Sequence, residues 1–189
     1  MNSRFLLEKL ECSDEYKKFI SENKDAYLCS GFFVVDLAKE NPENKFHFDF
    51  YVPSTKKTFS FELENGNLQR VLHNSSDPTT EIVEFGSGIK LVELERNEDK
   101  ILEKVSMKNP FDFEKIKEKI LIEMELKKIT NKIQKMIFSL QNIDKKDILI
   151  GTIFISGLGL IKADLDLSEN IFTEFEKKSL FDMMKIVKK

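Results

Sequence analysis

Three side chains that could take part in acid–base chemistry alternate along the stretch "KFHFDFYV", residues 45–52. In a strand, His47, Asp49 and Tyr51 would share one face, and the phenylalanines between them would share the other. A carboxylate beside an imidazole is half of an acid–base arrangement, because histidine changes its charge near neutral pH. No nucleophile accompanies the pair in the sequence. We therefore interpret these residues as a polar, solvated sheet face and predict no catalytic residue.

A second set of charged residues lies in "IKADLDLSE", where Lys162 precedes Asp164, Asp166 and Glu169. These carboxylates could form a weak site for a divalent cation, but such a site needs several oxygen ligands that converge on one point. Asp164 and Asp166 would instead lie side by side on one strand face. We predict a solvated strand with no metal site and no cofactor. With nearby lysines, Lys162 could form a modest patch for an anionic partner.

The remaining reactive residue types give weaker signals. Cys29 lies between apolar neighbours, which is typical of a buried thiol, and Cys12 lies near the start of an exposed helix. Tyr27 and Tyr51 could stack nucleic-acid bases on a sheet. The net charge of -3 and the pI near 5.6 argue against a nucleic-acid binder, which usually has a basic face.

Composition places the chain among folded globular proteins. It has 189 residues, 41% hydrophobic and 33% charged, enough for one large domain or two small ones. Acidic residues at Glu8 and Glu11 interrupt the N-terminus before an apolar run develops, so we expect no signal peptide and a cytoplasmic protein. The uncharged run at 148–161 is shorter than the roughly 20 residues that a membrane-spanning helix needs.

The first part of the chain is predicted to form two short helices and a three-stranded antiparallel meander. Leu6, Leu7 and Leu10 form one apolar stripe, and Ser13 is a plausible N-cap for the second helix. The strands are "AYLCSGFFVVDL", "KFHFDFYV" and "TFSFEL". The first of them is apolar on both alternating faces, which predicts a strand that is covered on both sides.

The second part is predicted to form a long helix followed by a hairpin. Apolar residues keep helical spacing through "EKIKEKILIEMELKKITNKIQKMIFSL", with Asp112 as the cap. "ILIGTIFISGLGLIKADLDL" then predicts two strands joined by a glycine turn. "SENIFTEFE" would begin a third strand, and Ser179 with Asp182 would cap a last helix. Residues 66–80 resemble a loop, with short strands around "EIVEF" and "GIKLVELE".

The two parts also resemble each other, which suggests a degenerate tandem repeat. Gly31 and Gly151 would occupy equivalent places in their strands, and Asp49 would correspond to Asp164. This organisation divides the chain into an N-terminal helix–meander unit at 1–65, a loop-rich connecting segment with short strands at 66–110, and a C-terminal helix–hairpin–helix unit at 111–189.

The stretch "DLSENIF" resembles the turn Asp-x-x-Thr-Gly-Glu-Val of the PepSY domain, with Glu169 and Asn170 in the place of Thr-Gly. "LLEKLECSDEYKKFISENKDAYL", "KMIFSLQNI" and "KKSLFDMM" are similar to stretches of small uncharacterised archaeal proteins with a PepSY-like C-terminal half. The resemblance implies an α+β fold of two helix-plus-antiparallel-meander units, in a tandem PepSY-like or cystatin-like arrangement. PepSY-type modules have been proposed as peptidase regulators and binding modules.

Together these features predict a non-enzymatic binding or regulatory module that uses the face or the edge of an antiparallel sheet. Its partner would be a protein or peptide, or a second copy of the chain. The alternative is a small hydrolase or ligand-binding enzyme with a cleft between the two units. The candidate surface residues for either function are His47, Asp49, Tyr51, Lys162 and Asp164.

Overall fold

The computed structural model describes residues 2–40, 42, 44–64, 89–94 and 102–179. These residues form three helices and eight strands. The helices are α1 (Ser3–Glu11), α2 (Asp14–Glu22) and α3 (Phe113–Leu126). The strands are β1 (Tyr27–Asp36), β2 (Lys45–Val52), β3 (Lys57–Glu64), β4 (Ile89–Leu94), β5 (Ile133–Ile143), β6 (Lys146–Ile155), β7 (Gly159–Asp166) and β8 (Ile171–Ser179).

All eight strands belong to one antiparallel sheet with the order β4-β3-β2-β1-β5-β6-β7-β8. Strands β1 and β5 pair at its centre, where Phe33 lies opposite Phe138. The meander β1–β4 runs outward on one side of this pair, and the meander β5–β8 runs outward on the other. Helices α1 and α2 precede the first meander and α3 precedes the second. The predicted α+β class is confirmed, and the strands of both meanders join in a single sheet.

The helices begin where the sequence places capping residues. The Ser13 hydroxyl accepts a hydrogen bond from the Tyr16 amide at 3.2 Å, and the Asp112 carboxylate accepts one from the Glu114 amide at 2.9 Å. Each cap satisfies an amide that the first helical turn leaves without a partner. The predicted caps at Ser13 and Asp112 are therefore confirmed.

The hydrophobic core lies between the helices and one face of the sheet, which we call the covered face. Rings from α2 and α3 meet strand rings edge to face or tilted, with centroids 5.1 Å apart for Phe19 and Phe59 and 5.4 Å apart for Phe33 and Phe113. Fully burying one such side chain contributes about 1.5–3 kcal/mol. The largest fully buried side chains include Phe33, Phe46, Phe48, Phe61, Phe113 and Phe138.

The predicted long second helix is wrong in its second half. Helix α3 ends at Leu126, the Lys127 amide donates to the Glu123 carbonyl, and Lys128 adopts a left-handed φ of 56°. The chain then enters β5 at Ile133. A strand with apolar residues on both faces also places them three and four positions apart, so spacing alone did not separate the two structures.

The predicted equivalence of Gly31 and Gly151 does not fit this topology. Gly31 lies in β1, the first strand of its meander, whereas Gly151 lies in β6, the second strand of the other. Gly151 has its own reason to be glycine. A Cβ atom there would stand 2.6 Å from the carbonyl oxygen of Ala163 and 3.0 Å from the Phe138 ring.

The hairpin predicted at 148–167 is confirmed as β6 and β7. Its turn contains Gly157 and Leu158, both with positive φ. The following turn into β8 places Asn170 at φ 57°, a conformation that asparagine tolerates better than most residues. Among the predicted short strands, "GIKLVELE" contains β4. The loop at 66–80, "EIVEF" and the last helix after Ser179 lie outside the described residues.

The segment that leads into α3 is fixed to the end of the sheet by a buried carboxylate. The Val105 amide donates to the Leu28 carbonyl at 2.9 Å. The carboxylate of Asp147 accepts hydrogen bonds from the Ser106 and Met107 amides, the Ser106 hydroxyl and the Asn142 side-chain amide, at 2.6–3.2 Å. Met107 has a φ of 49°, which is uncommon for a residue other than glycine. These hydrogen bonds hold the unusual turn in place.

Replacing Asp147 with asparagine should destabilise the protein by about 1–3 kcal/mol, because an amide nitrogen would face N–H donors and leave a buried group unsatisfied. Thermal or urea unfolding monitored by circular dichroism measures the loss. Asp144→Asn is the matched control, since Asp144 is exposed in the β5–β6 turn. Equal stability of the two variants would contradict the role given to Asp147.

Candidate functional site

The sheet face opposite the helices carries most of the residues that the sequence singled out. We call it the open face, because the described helices pack against the other side. Strand alternation and cross-strand register assign its residues. They are Tyr27, Ser30, Phe32, Val34, Asp36, Lys45, His47, Asp49, Tyr51, Thr58, Ser60, Glu62, Lys90, Val92, Leu94, Lys135, Ile137, Ser139, Gln141, Ile143, Lys146, Ile148, Ile150, Thr152, Phe154, Leu160, Lys162, Asp164, Asp166, Ile171, Glu174, Glu176 and Lys178.

The middle of the open face is apolar. We define the apolar centre as Phe32, Val34, Ile137, Ile148 and Ile150, which come from the adjacent strands β1, β5 and β6. Phe32 is 40% exposed, and the other four are half-buried. The described residues leave Phe32 of β1 only partly covered on this face. Ser139 and Gln141 of β5 lie among these apolar residues.

His47 and Tyr51 lie on the open face, as predicted, and His47 lies next to Phe32 of the apolar centre. The Nε2 atom of His47 lies 3.8 Å from Oε1 of Glu62, and its ring centroid lies 6.0 Å from that of Phe32. The ring of Tyr51 packs edge to face against that of Tyr27 at 5.7 Å. Tyr51 is buried rather than solvated as predicted, so its ring offers little surface for stacking a base.

Asp49 is buried, and the Ser30 hydroxyl donates a 2.6 Å hydrogen bond to its carboxylate. The Cys29 thiol donates to the Asp49 backbone carbonyl at 3.2 Å, and Cys29 is buried as predicted. His47 thus contacts Glu62, and Asp49 contacts Ser30. The two halves of the predicted acid–base arrangement have different partners.

Lys162 and Asp164 lie on the other side of the apolar centre and form a cluster with Glu174. The ammonium of Lys162 lies 2.6 Å from the Glu174 carboxylate and 3.6 Å from that of Asp164. Burial raises the pKa of Asp164, and the hydrogen bond from Lys162 lowers the pKa of Glu174. Oδ1 of Asp164 is buried and has no hydrogen-bond partner among the described residues.

The structure does not bring the two predicted sets of residues together. His47 and Asp49 lie on β2, whereas Lys162 and Asp164 lie on β7, four strands away in the sheet. Neighbouring strands lie about 4.8 Å apart, so the two sets are separated by roughly 19 Å.

Asp166 differs from the sequence prediction, which had it on a solvated edge. Its side chain is only 3% exposed. It accepts hydrogen bonds from the Lys146 ammonium at 2.8 Å, from the Ser168 hydroxyl and amide, and from the Glu169 amide. The hydrogen bond from Lys146, followed by that from Ser168, holds the pKa of Asp166 well below its usual range. Asp166 therefore stabilises the turn into β8.

The described residues contain no group of three or more histidine, cysteine or acidic side chains that could hold a metal ion. A shallow groove of about 380 Å³ lies between α1 and residues 106–110, and its lining includes Arg4, Glu8 and Lys108. None of the five candidate residues lines this groove.

No helix within the described part of the chain is long and apolar enough to cross a membrane. Comparison of the chain with protein-family models, with curated proteins and with solved structures gave no match. The PepSY-like resemblance therefore stays an expectation.

Replacing Asp164 and Asp166 with asparagine should change stability in opposite directions. The raised pKa of Asp164 means that folding disfavours its charged form, so Asp164→Asn should stabilise the protein slightly at pH 7. That gain should disappear at acidic pH, where the wild-type carboxyl is protonated in both states. The lowered pKa of Asp166 gives stability that is present at neutral pH and lost on acidification. Asp166→Asn should therefore cost about 2 kcal/mol at pH 7 and less in acid.

Unfolding curves recorded at several values between pH 3 and pH 8 measure both effects. The two variants are matched, because they make the same substitution two residues apart on one strand face. Destabilisation of the same size and pH dependence in both would contradict the opposite pKa directions.

Proposed function

We propose that this protein is a non-catalytic binding module whose open face contacts a protein partner. The observation that carries the proposal is the exposed apolar centre on the central strands β1, β5 and β6. Strands with apolar residues on both faces are typical of sheets that are covered on both sides. Here the described helices cover one side, and Phe32 is 40% exposed on the other.

The size of the open face suits a protein partner. Eight strands spaced by about 4.8 Å span roughly 34 Å, and eight residues of a strand extend about 26 Å. The projected area of roughly 900 Å² is close to the roughly 800 Å² that each partner contributes to a typical stable interface. An apolar middle with polar and charged residues around it also resembles the usual anatomy of such interfaces.

The positions of the predicted acid–base residues give no support to the alternative of a small hydrolase. His47 pairs with Glu62, and the Ser30 hydroxyl donates to Asp49, so neither is aligned with the other. Both lie beside the apolar centre, where an imidazole and a buried carboxylate can contribute to recognition by a partner. We therefore assign His47 to the binding surface.

A photo-crosslinking amino acid at position 32 should form adducts with a protein partner in cells that express the full chain. The same group at position 126 is the control, because Leu126 is 71% exposed near the end of α3. Non-specific hydrophobic contact would give more adducts from position 126, which is the more exposed position. Binding at the open face would give more adducts from position 32. Adducts are identified by mass spectrometry.

The substitution Ile137→Glu should remove the adducts formed from position 32, because it places a charge in the apolar centre. Ile122→Glu is its control, since Ile122 is exposed on α3. Adducts that form equally from both positions, or that survive Ile137→Glu, would exclude the open face as the binding surface.

A further inference from the structure

We propose that one end of the sheet, separate from the open face, binds the surface of a membrane that contains anionic lipids. This end is formed by residues 127–132 between α3 and β5, by residues 156–158 between β6 and β7, and by Lys177 of β8. We call these residues the basic tip. The inference adds a second binding surface and does not rest on the function proposed for the open face.

Hydrogen bonds join the three parts of the basic tip into one surface. The Ser156 amide donates to the Lys132 carbonyl at 2.8 Å, and the Lys132 amide donates to the Ser156 hydroxyl at 3.0 Å. The side-chain amide of Asn131 donates to the Ser156 carbonyl at 2.7 Å. The side-chain oxygen of Asn131 accepts a hydrogen bond from the Lys177 ammonium at 2.9 Å. Residues far apart in the chain therefore lie side by side at this end of the sheet.

The basic tip is positively charged, although the whole chain has a net charge of -3. It contains four lysines and no acidic residue, and the lysines are Lys127, Lys128, Lys132 and Lys177. All four are exposed, and none forms an ion pair with a carboxylate in the described part of the chain. Two of them donate to uncharged oxygen atoms, which leaves their charge uncompensated. An anionic surface is therefore complementary to the basic tip.

An exposed leucine lies at the hairpin turn of the basic tip. Leu158 is 59% exposed and has a φ of 57°, next to Gly157 with a φ of 78°. Two-residue hairpin turns with positive φ at both positions favour glycine, asparagine and aspartate. Met107, the other apolar side chain with positive φ in the described residues, packs against the hydrophobic core. Leu158 lies outside that core, so contact with apolar material beyond the chain explains a leucine here better than folding does.

A lipid surface suits both the charge and the leucine of the basic tip. Binding to anionic membranes gains from buried apolar area and from electrostatic attraction together. The Leu158 side chain would enter the boundary of the acyl chains, while the lysines stay at the level of the phosphate groups, to which each is attracted. Proteins that bind single-stranded nucleic acid add aromatic rings on which bases stack. The basic tip contains no aromatic residue and no arginine, which favours lipid over nucleic acid.

Co-sedimentation of the purified full chain with lipid vesicles tests the proposal. We expect binding to vesicles of phosphatidylcholine and phosphatidylserine in equal parts, and little binding to pure phosphatidylcholine. Lys132→Glu should weaken binding by about tenfold or more, because it replaces an attractive charge with a repulsive one. Leu158→Asn should weaken binding by about fivefold or more, because it removes the inserted side chain. The melting temperature of Leu158→Asn should stay unchanged or rise, since asparagine accepts left-handed geometry better than leucine.

Each variant has a matched control that should bind like the wild type. Ile171→Asn is the control for Leu158→Asn, because Ile171 is 57% exposed at the opposite end of the sheet, where β8 begins. Lys18→Glu is the control for Lys132→Glu. It makes the same change in net charge at an exposed lysine of α2, the helix that packs against β3 through Phe19. Circular dichroism confirms that all four variants are folded.

Three results would overturn the inference. The first is no sedimentation with either kind of vesicle, or equal sedimentation with both. The second is binding that Lys18→Glu weakens as much as Lys132→Glu, or that Leu158→Asn leaves unchanged, because net charge alone would then explain it. The third is no vesicle binding together with binding of inorganic phosphate or single-stranded RNA that is lost on Lys132→Glu, which would assign the basic tip to another anion. None of these results affects the adducts expected from position 32, so the two proposals fail separately.

Discussion

The antiparallel pairing of β1 with β5 is the constraint on which the rest of the structure depends. It joins the two meanders into one sheet, with Phe33 opposite Phe138. Because the two strands are hydrogen-bonded neighbours, the pleat fixes which residues of both meanders share a face. A shift of one residue between the two strands would place Phe33 and Phe138 on opposite faces of the sheet. The aromatic core and the composition of the open face are thus set by one register.

The same pairing explains why the molecule has an exposed apolar surface. β1 and β5 lie at the centre of the sheet, and on the open face they carry the apolar residues Phe32, Val34 and Ile137. Helices α1, α2 and α3 all pack on the covered face, where they bury Phe33 and its neighbours. Apolar residues on the second face of these strands are typical of a sheet that is covered on both sides, as in a three-layer protein.

Much of the fold follows from local sequence patterns. The strict alternation in β2 predicted both the strand and its two faces, and Ser13 and Asp112 predicted where helices begin. β5 could not be separated from a helix, because Ile133, Met136, Ile137 and Leu140 satisfy helical spacing as well as a strand with two apolar faces. Tertiary structure decides between the two, because residues 133–143 pair with β1 as a strand. A pairing between segments so far apart in the chain cannot be read from local spacing.

The candidate residues were predicted on the correct face, but their environments were not. Asp164 and Asp166 look alike in the sequence, two acids in an alternating strand. In the fold, Asp166 accepts four hydrogen bonds from the next turn and from Lys146. Asp164 instead lies beside Lys162 and Glu174, and burial raises its pKa. Alternation specifies a face, while hydrogen-bond partners come from neighbouring strands and turns. The composition of the open face therefore depends on which strands are neighbours, and that is the property that single-sequence patterns specify least.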